Sequence, residues 1–246
     1  MNTKLKLLKM LLGILIFSFL VAFSAKRHAC KPVNKINIGI DHSANNRFVN
    51  DEQVRNVLNG KELQVNKTPL GNLNILKIEQ FLNQNPFIKE AEVFSDVNGE
   101  MKIQVKQKVP VMRVNTGVEE YYISDELTKI PLSNLYSAKV LLAGGPIDED
   151  DFYGLKELSE AVSADKLLKK HIIAVKKMEP NSFILFVNKG DYIIEFGELN
   201  DFNEKFDKLK LFYEQYLGKV GWDYYSKLNL KFSNQIVATK RNNDEN

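Results

Sequence analysis

The sequence predicts an α+β protein: an N-terminal transmembrane helix, then a β-α-α-β-β unit, then a mixed β-rich region with two helices. Three observations predict it. Met10–Ala25 (MLLGILIFSFLVAFSA) holds no charged residue. From Lys35 to Lys106 the hydrophobic period changes from that of a strand to that of a helix and back. Beyond Pro110 short alternating runs dominate, broken by two stripes of helical spacing.

Composition narrows the class. The 246 residues are 44% hydrophobic and 26% charged with 13 Gly and 7 Pro, which excludes collagen-like, low-complexity and wholly disordered chains. One cysteine, Cys30, and three histidines, His28, His42 and His171, exclude a disulfide framework and a Cys/His zinc site. Lys4, Lys6 and Lys9 account for the whole formal charge of +3, so a basic N-terminus precedes a neutral body. The arginines are Arg27, Arg47, Arg55, Arg113 and Arg241. A scattered, lysine-dominated neutral surface argues against nucleic acid as a partner.

Residues 1–9 read as a short cytoplasmic tail and 10–25 as the membrane helix, with the apolar stretch beginning near Leu5. Leu5 to Ala25 spans about 31 Å as a helix, close to the hydrocarbon thickness of a bilayer. Lys6 and Lys9 lie in its first turns, where their stems can carry the charge to the headgroups. Three readings compete: an uncleaved signal anchor, a cleaved signal peptide, and a lipoprotein acylated at Cys30. Phe23-Ser24-Ala25 is a poor cleavage site, and Arg27-His28-Ala29 is a poor approach to an acylated cysteine. The anchor is adopted. Lysines and arginine flank both ends, so charge alone nearly ties. A short tail before a large body favours a cytoplasmic N-terminus and an exported C-terminus.

The first exported unit is placed at 26–110. Lys35–Ile40 alternates as a strand. Asn50 with Gln53 opens a helix carrying Val54, Val57 and Leu58 on one face, and Gly60 stops it. Ile75, Ile78, Phe81 and Leu82 mark a second helix, closed by Pro86. Ile88–Ser95 and Met101–Lys106 are strands around an Asn98-Gly99 hairpin turn.

The second unit is placed at 111–240. Val111–Val114, Glu120–Ser124 and Val140–Ala143 read as strands, with Gly117 and Gly144-Gly145-Pro146 as breaks. Asp150–Ala164 is a helix with Phe152, Leu155, Leu158 and Val162 as its stripe. Ile172–Met178, Ser182–Val187 and Tyr192–Phe196 form a meander turning at Pro180-Asn181 and Lys189-Gly190-Asp191. Phe202, Phe206, Leu209, Phe212, Tyr213 and Tyr216 predict a core-facing helix. Lys227–Phe232 and Gln235–Lys240 are two last strands around Ser233-Asn234, and 241–246 is a polar, frayed tail.

In this order the sequence resembles the FtsQ/DivIB family of bacterial cell-division proteins. Asn85-Pro86-Phe87-Ile88, Ala91, Val93, Met101–Val105 and Val109-Pro110-Val111 resemble the family's run through its POTRA domain and domain joint. Tyr121–Asp125 is similar to the start of its β domain, and Lys227–Gln235 to its terminal hairpin. The resemblance covers nearly the whole chain; the short cytoplasmic tail and a sparse joint motif depart from it. It implies a single-pass protein of the cell inner membrane at the division site, with a cytoplasmic N-terminus and periplasmic domains. It implies a divisome scaffold that recruits and links periplasmic parts of other division proteins at the septum. A secreted or surface-exposed binding protein with a cleaved N-terminus is the alternative. The implied partner is an FtsB/FtsL-like complex, docking by strand addition on Lys231, Phe232, Asn234, Gln235, Ile236, Val237, Ala238 and Lys240. Phe232 is the candidate anchor. Ile236/Ala238 alternate against Val237/Thr239, and Val237→Pro is expected to remove one ladder donor.

Catalytic patterns are weak. Asp41-His42-Ser43 are adjacent and cannot fold back into a nucleophile, base and orienting group. Asp148-Glu149-Asp150-Asp151 lacks the spacing of an EF-hand loop and reads as a helix N-terminus. Gly144-Gly145-Pro146 has no phosphate-loop context. His171 reads as a boundary residue before an apolar strand. No spacing nominates a carboxylate pair. The expectation is a non-enzyme without catalytic residues, metal, cofactor or small-molecule substrate.

Overall fold

The computed structural model describes residues 2–96, 98–179 and 181–241. Met1 of the expected tail, Pro180 of the expected turn and 242–246 lie outside the described residues. The chain divides into two compact units, Met1–Gln107 and Lys108–Asn246.

The first unit opens with α1 (Asn2–Ala29), which runs beyond the expected 10–25 at both ends. Lys26 does not break it, because the Cys30 N–H still reaches the Lys26 carbonyl (3.1 Å) and the first proline is Pro32. Leu7–Ser24 has a mean hydropathy of 2.3 with none of it buried, and is the one span among the described residues long and apolar enough to cross a membrane.

Then come β1 (Lys35–Asp41), α2 (Asp51–Asn59), α3 (Ile75–Asn83), β2 (Ile88–Ser95) and β3 (Glu100–Gln107). The capping box forms: Asn50 Oδ1 accepts from Gln53 N (2.9 Å) and Gln53 Oε1 from Asn50 N (3.1 Å). The sheet order is β1-β3-β2, with β1 parallel and β2 antiparallel to the central β3. Alternation on β3 buries Met101, Ile103 and Val105, together with Val54 and Leu58 of α2 and Ile78 and Leu82 of α3.

Gln107 ends β3 inside this unit and was given no role by the sequence. Its Oε1 accepts from Phe48 N (2.7 Å) and Val49 N (3.0 Å), and its Nε2 donates to the carbonyls of Asp41 and Asn46 (both 3.0 Å). One buried amide thus satisfies the last carbonyl of β1 and three backbone groups of the segment between β1 and α2.

The second unit contains β4 (Pro110–Asn115), β5 (Glu120–Ser124), β6 (Lys129–Pro131), β7 (Leu141–Gly144), α4 (Phe152–Ala164), α5 (Lys166–His171), β8 (Ile172–Glu179), β9 (Ser182–Val187), β10 (Ile193–Gly197), α6 (Phe202–Phe212), β11 (Tyr225–Asn229) and β12 (Val237–Lys240). The nine strands form one mixed sheet in the order β12-β11-β10-β9-β8-β7-β4-β5-β6. Phe152, Leu155, Leu158 and Val162 of α4 and Phe206, Leu209 and Phe212 of α6 join its core.

The structure adds two short elements, β6 and α5, and corrects two readings. β6 is too short to show alternation. α5 is short and lysine-rich, yet Asp165 caps it, accepting from Leu167 N (2.8 Å) and Leu168 N (3.1 Å). A π turn at Tyr213–Leu217 follows α6 and rotates the apolar face. Tyr216 is therefore 52% exposed and Leu217 takes the interior position. The last two strands are Tyr225–Asn229 and Val237–Lys240, not Lys227–Phe232 and Gln235–Lys240.

Replacing Gln107 by Leu should leave its four backbone partners without a side-chain partner. A loss of about 3 kcal/mol is expected, read as a lowered urea midpoint for the first unit. An unchanged midpoint would show that water replaces the amide at no cost.

Candidate partner-docking edge

The C-terminal corner is built from β10, β11 and β12. β11 runs parallel to β10, with Glu195 opposite Asn229. Leu230 N donates to the Glu195 carbonyl (2.9 Å), so even-numbered backbone groups here face β10 and odd-numbered ones face β12. β12 pairs antiparallel with β11, Asn229 opposite Val237 and Lys227 opposite Thr239. Val237 and Thr239 therefore turn their N–H and C=O toward β11. Ala238 turns its own outward, to the edge of the sheet. The side chains have a different phase: Ile236 and Ala238 pack on the core, and Val237 is 45% exposed.

The loop before β12 is held from α6. Lys208 Nζ donates to the Phe232 carbonyl (2.7 Å) and to Glu204 Oε1 (3.0 Å), which accepts from Asn234 N (3.3 Å). Asn234 has a positive φ of 60°, which an asparagine tolerates. Lys231 N donates to Asn229 Oδ1 (2.9 Å), and Lys231 Nζ lies 3.6 Å from Glu195. At the other end of β12, Arg241 pairs with Asp191 (2.9 Å). Phe232 is 47% exposed on this braced loop.

The eight expected contact residues thus lie on one loop and one edge strand. Ile236 and Ala238 offer backbone rather than side chain. Glu204 and Lys208, which brace the loop, were missed; their only sequence signal is an acidic and a basic residue four apart on a helix. A cleft of about 360 Å³ lies beside them, lined in part by Glu204, Lys205, Lys208, Lys231 and Phe232. Its charges are of both signs. Lys205 is buried and already donates to the Glu198 carbonyl and Asn200 Oδ1 (both 2.8 Å), and burial lowers its pKa.

The other patterns are structural. Asp41 Oδ1 accepts from Ser43 N (2.8 Å), and His42 Nδ1 meets the Asn46 carbonyl (2.9 Å). Asp148 and Asp151 form a capping box and bind Lys177 Nζ at 3.1 and 2.6 Å. No group of three or more metal-ligating side chains occurs among the described residues.

His171 lies at the expected boundary, between α5 and β8, and is buried. Its ring packs on Tyr213 and Trp222. Asn188 Nδ2 donates to the Lys170 carbonyl, which turns Asn188 Oδ1 toward His171 Nδ1 (3.2 Å). Nδ1 then carries the proton, and Nε2 accepts from the Tyr192 hydroxyl (2.7 Å).

Two family models match the chain. One, described as FtsQ/DivIB, C-terminal related, matches residues 109–239. The other, described as POTRA-like domain, matches residues 30–106. No curated protein sequence matches it.

Burial lowers the His171 pKa below its ordinary 6.5, so the folded state binds fewer protons than the unfolded state as pH falls. Stability of the second unit should be flat above neutrality, decline as pH drops below about 6.5, and level off beneath the folded value. His171→Phe should flatten that limb in urea titrations compared at pH 5 and 7.5; an unaltered slope would assign the decline elsewhere.

Proposed function

The chain belongs to the FtsQ/DivIB-related family of cell-division proteins, and from that premise we propose that it is a single-pass membrane scaffold of the bacterial divisome. It is non-catalytic. α1 anchors it in the cell inner membrane with the N-terminus cytoplasmic and both units periplasmic. It recruits periplasmic segments of an FtsB/FtsL-like complex at the septum.

The observation that carries this reading is the asymmetry of the nine-stranded sheet. Its β6 end is three residues long and closes with Pro131, which has no N–H to offer. Its β12 end is open, and the loop before it is already ordered by Lys208 and Glu204. An incoming extended segment would continue the ladder from the outward groups of Ala238, with Phe232 as a side-chain anchor. Because the loop is braced, little conformational entropy is lost on docking. Anchoring adds effective concentration by confining both partners to one membrane.

The backbone phase changes which proline tests this. Val237 N–H faces β11, so Val237→Pro would damage the protein's own ladder. Ala238→Pro removes an outward donor instead. In the full-length protein, Ala238→Pro should weaken capture of the FtsB/FtsL-like complex about tenfold or more with melting nearly unchanged. Wild-type affinity would overturn the docking assignment. Depletion in cells should give filaments with unfinished septa; normally dividing cells would remove the division role.

A further inference from the structure

We propose that β1 of the first unit is a second docking edge, and that its occupant is β1 of a second copy of this chain, paired antiparallel about a two-fold axis through Ile38.

The two edges of the three-stranded sheet differ. On β2, Ala91 N donates to Asn83 Oδ1 and Val93 N to Glu79 Oε1 (both 2.8 Å), so side chains of α3 already occupy that edge. β1 has no such cover. Asn34 N donates to the Gly99 carbonyl (2.9 Å), and β1 then runs parallel to β3 with Ile36 opposite Met101 and Ile38 opposite Ile103. On β2 the N–H groups of Ala91 and Val93 turn away from β3, and Asp96 N donates to the Glu100 carbonyl (2.9 Å), so the even-numbered groups of β3 face β2 and those of Met101, Ile103 and Val105 face β1. In a parallel pair these bond the residues flanking their opposite numbers, Lys35, Asn37, Gly39 and Asp41, which leaves the backbone groups of Ile36, Ile38 and Ile40 facing outward. Gln107 Nε2 donates to the Asp41 carbonyl on the row that faces β3, so it does not cover this edge.

The sequence of β1, KINIGID, is complementary to itself in reverse. Centred on Ile38, the pairing sets Lys35 against Asp41 of the second copy and Asn37 against its Gly39. Ile36 then meets Ile40 of the second copy and Ile38 meets Ile38; these are the outward-facing pairs, so the ladder closes. These isoleucines share the face of β3 that carries Met101, Ile103 and Val105, yet are only partly buried because β1 ends the sheet. A second β1 would complete their burial.

Charge gives the register. On the opposite face Lys35 lies beside Glu100, Asp41 beside Lys106, and Lys106 pairs with Glu90 (3.1 Å). Across the joined sheet the row would read Glu100, Lys35, then Asp41, Lys106 and Glu90 of the second copy. Signs alternate along its whole length, and the two-fold axis repeats the row. A register moved by two residues loses both contacts. One strand pair buries less surface than stable soluble dimers need, so pairing should depend on confinement in a membrane. Only Cys30–Asn34 separates β1 from α1.

The test uses the full-length chain in vesicles with Cys30→Ser, so that no native thiol competes. Ile38→Cys should form a disulfide-linked dimer under mild oxidation, because the Cα atoms of a directly opposed hydrogen-bonded pair lie about 5.5 Å apart, within disulfide reach. Lys35→Glu or Asp41→Lys alone should cut its yield about tenfold, and the double reversal should restore it. Absence of cross-linking at Ile38, equal cross-linking at the exposed helical position Leu76, or failure of the double reversal would each overturn the proposal.

Discussion

An edge strand leaves every second N–H and C=O without a ladder partner, and this chain meets that constraint at four edges in three ways. At β2 the free donors go to Asn83 and Glu79. At β6 the strand is cut to three residues and ended by proline. At β12 and β1 the outward groups stay available. Backbone groups cannot remain both buried and unpaired, so an open edge is held by water or by another chain. Closing one edge of each sheet leaves one direction in which each can grow.

The open edges are not loose. Three backbone groups after β1 and the carbonyl of its last residue converge on Gln107, and the loop before β12 hangs from Lys208 and Glu204. In both places a polar side chain on a regular element orders irregular backbone. A strand that moved against its neighbour would have to break those bonds first. Rigidity at an edge lowers the entropy lost on docking, which lets a short ladder be useful.

Much of the fold was legible because the signals were local. Asn50 and Gln53 announce α2, the stripes of α4 and α6 announce buried faces, and Asn98-Gly99 announces the hairpin. What was not legible depended on distant partners. Gln107 lies 59 residues from Phe48 in the sequence, and nothing beside it marks a buried amide. Lys208 looks like any surface lysine until the Phe232 carbonyl is placed beside it. The π turn after α6 left no local mark, so Tyr216 was assigned to an interior that Leu217 occupies.

The proposed docking edge shows the same division within a single strand. Alternation along Ile236–Thr239 reports which side chains face the core, because burial acts on side chains. It is silent on which N–H faces outward, because that phase is set by hydrogen bonds to the neighbouring strand. Here the Leu230 bond to Glu195 fixes the phase of β11, and β11 fixes that of β12. Ala238, whose side chain is turned inward and looks unavailable, is thereby the residue whose backbone is offered. Exposure of a side chain and exposure of a peptide group are perpendicular properties of a strand. Recognition by ladder extension reads the second, so an edge can be specific in register while its outward side chains stay plain.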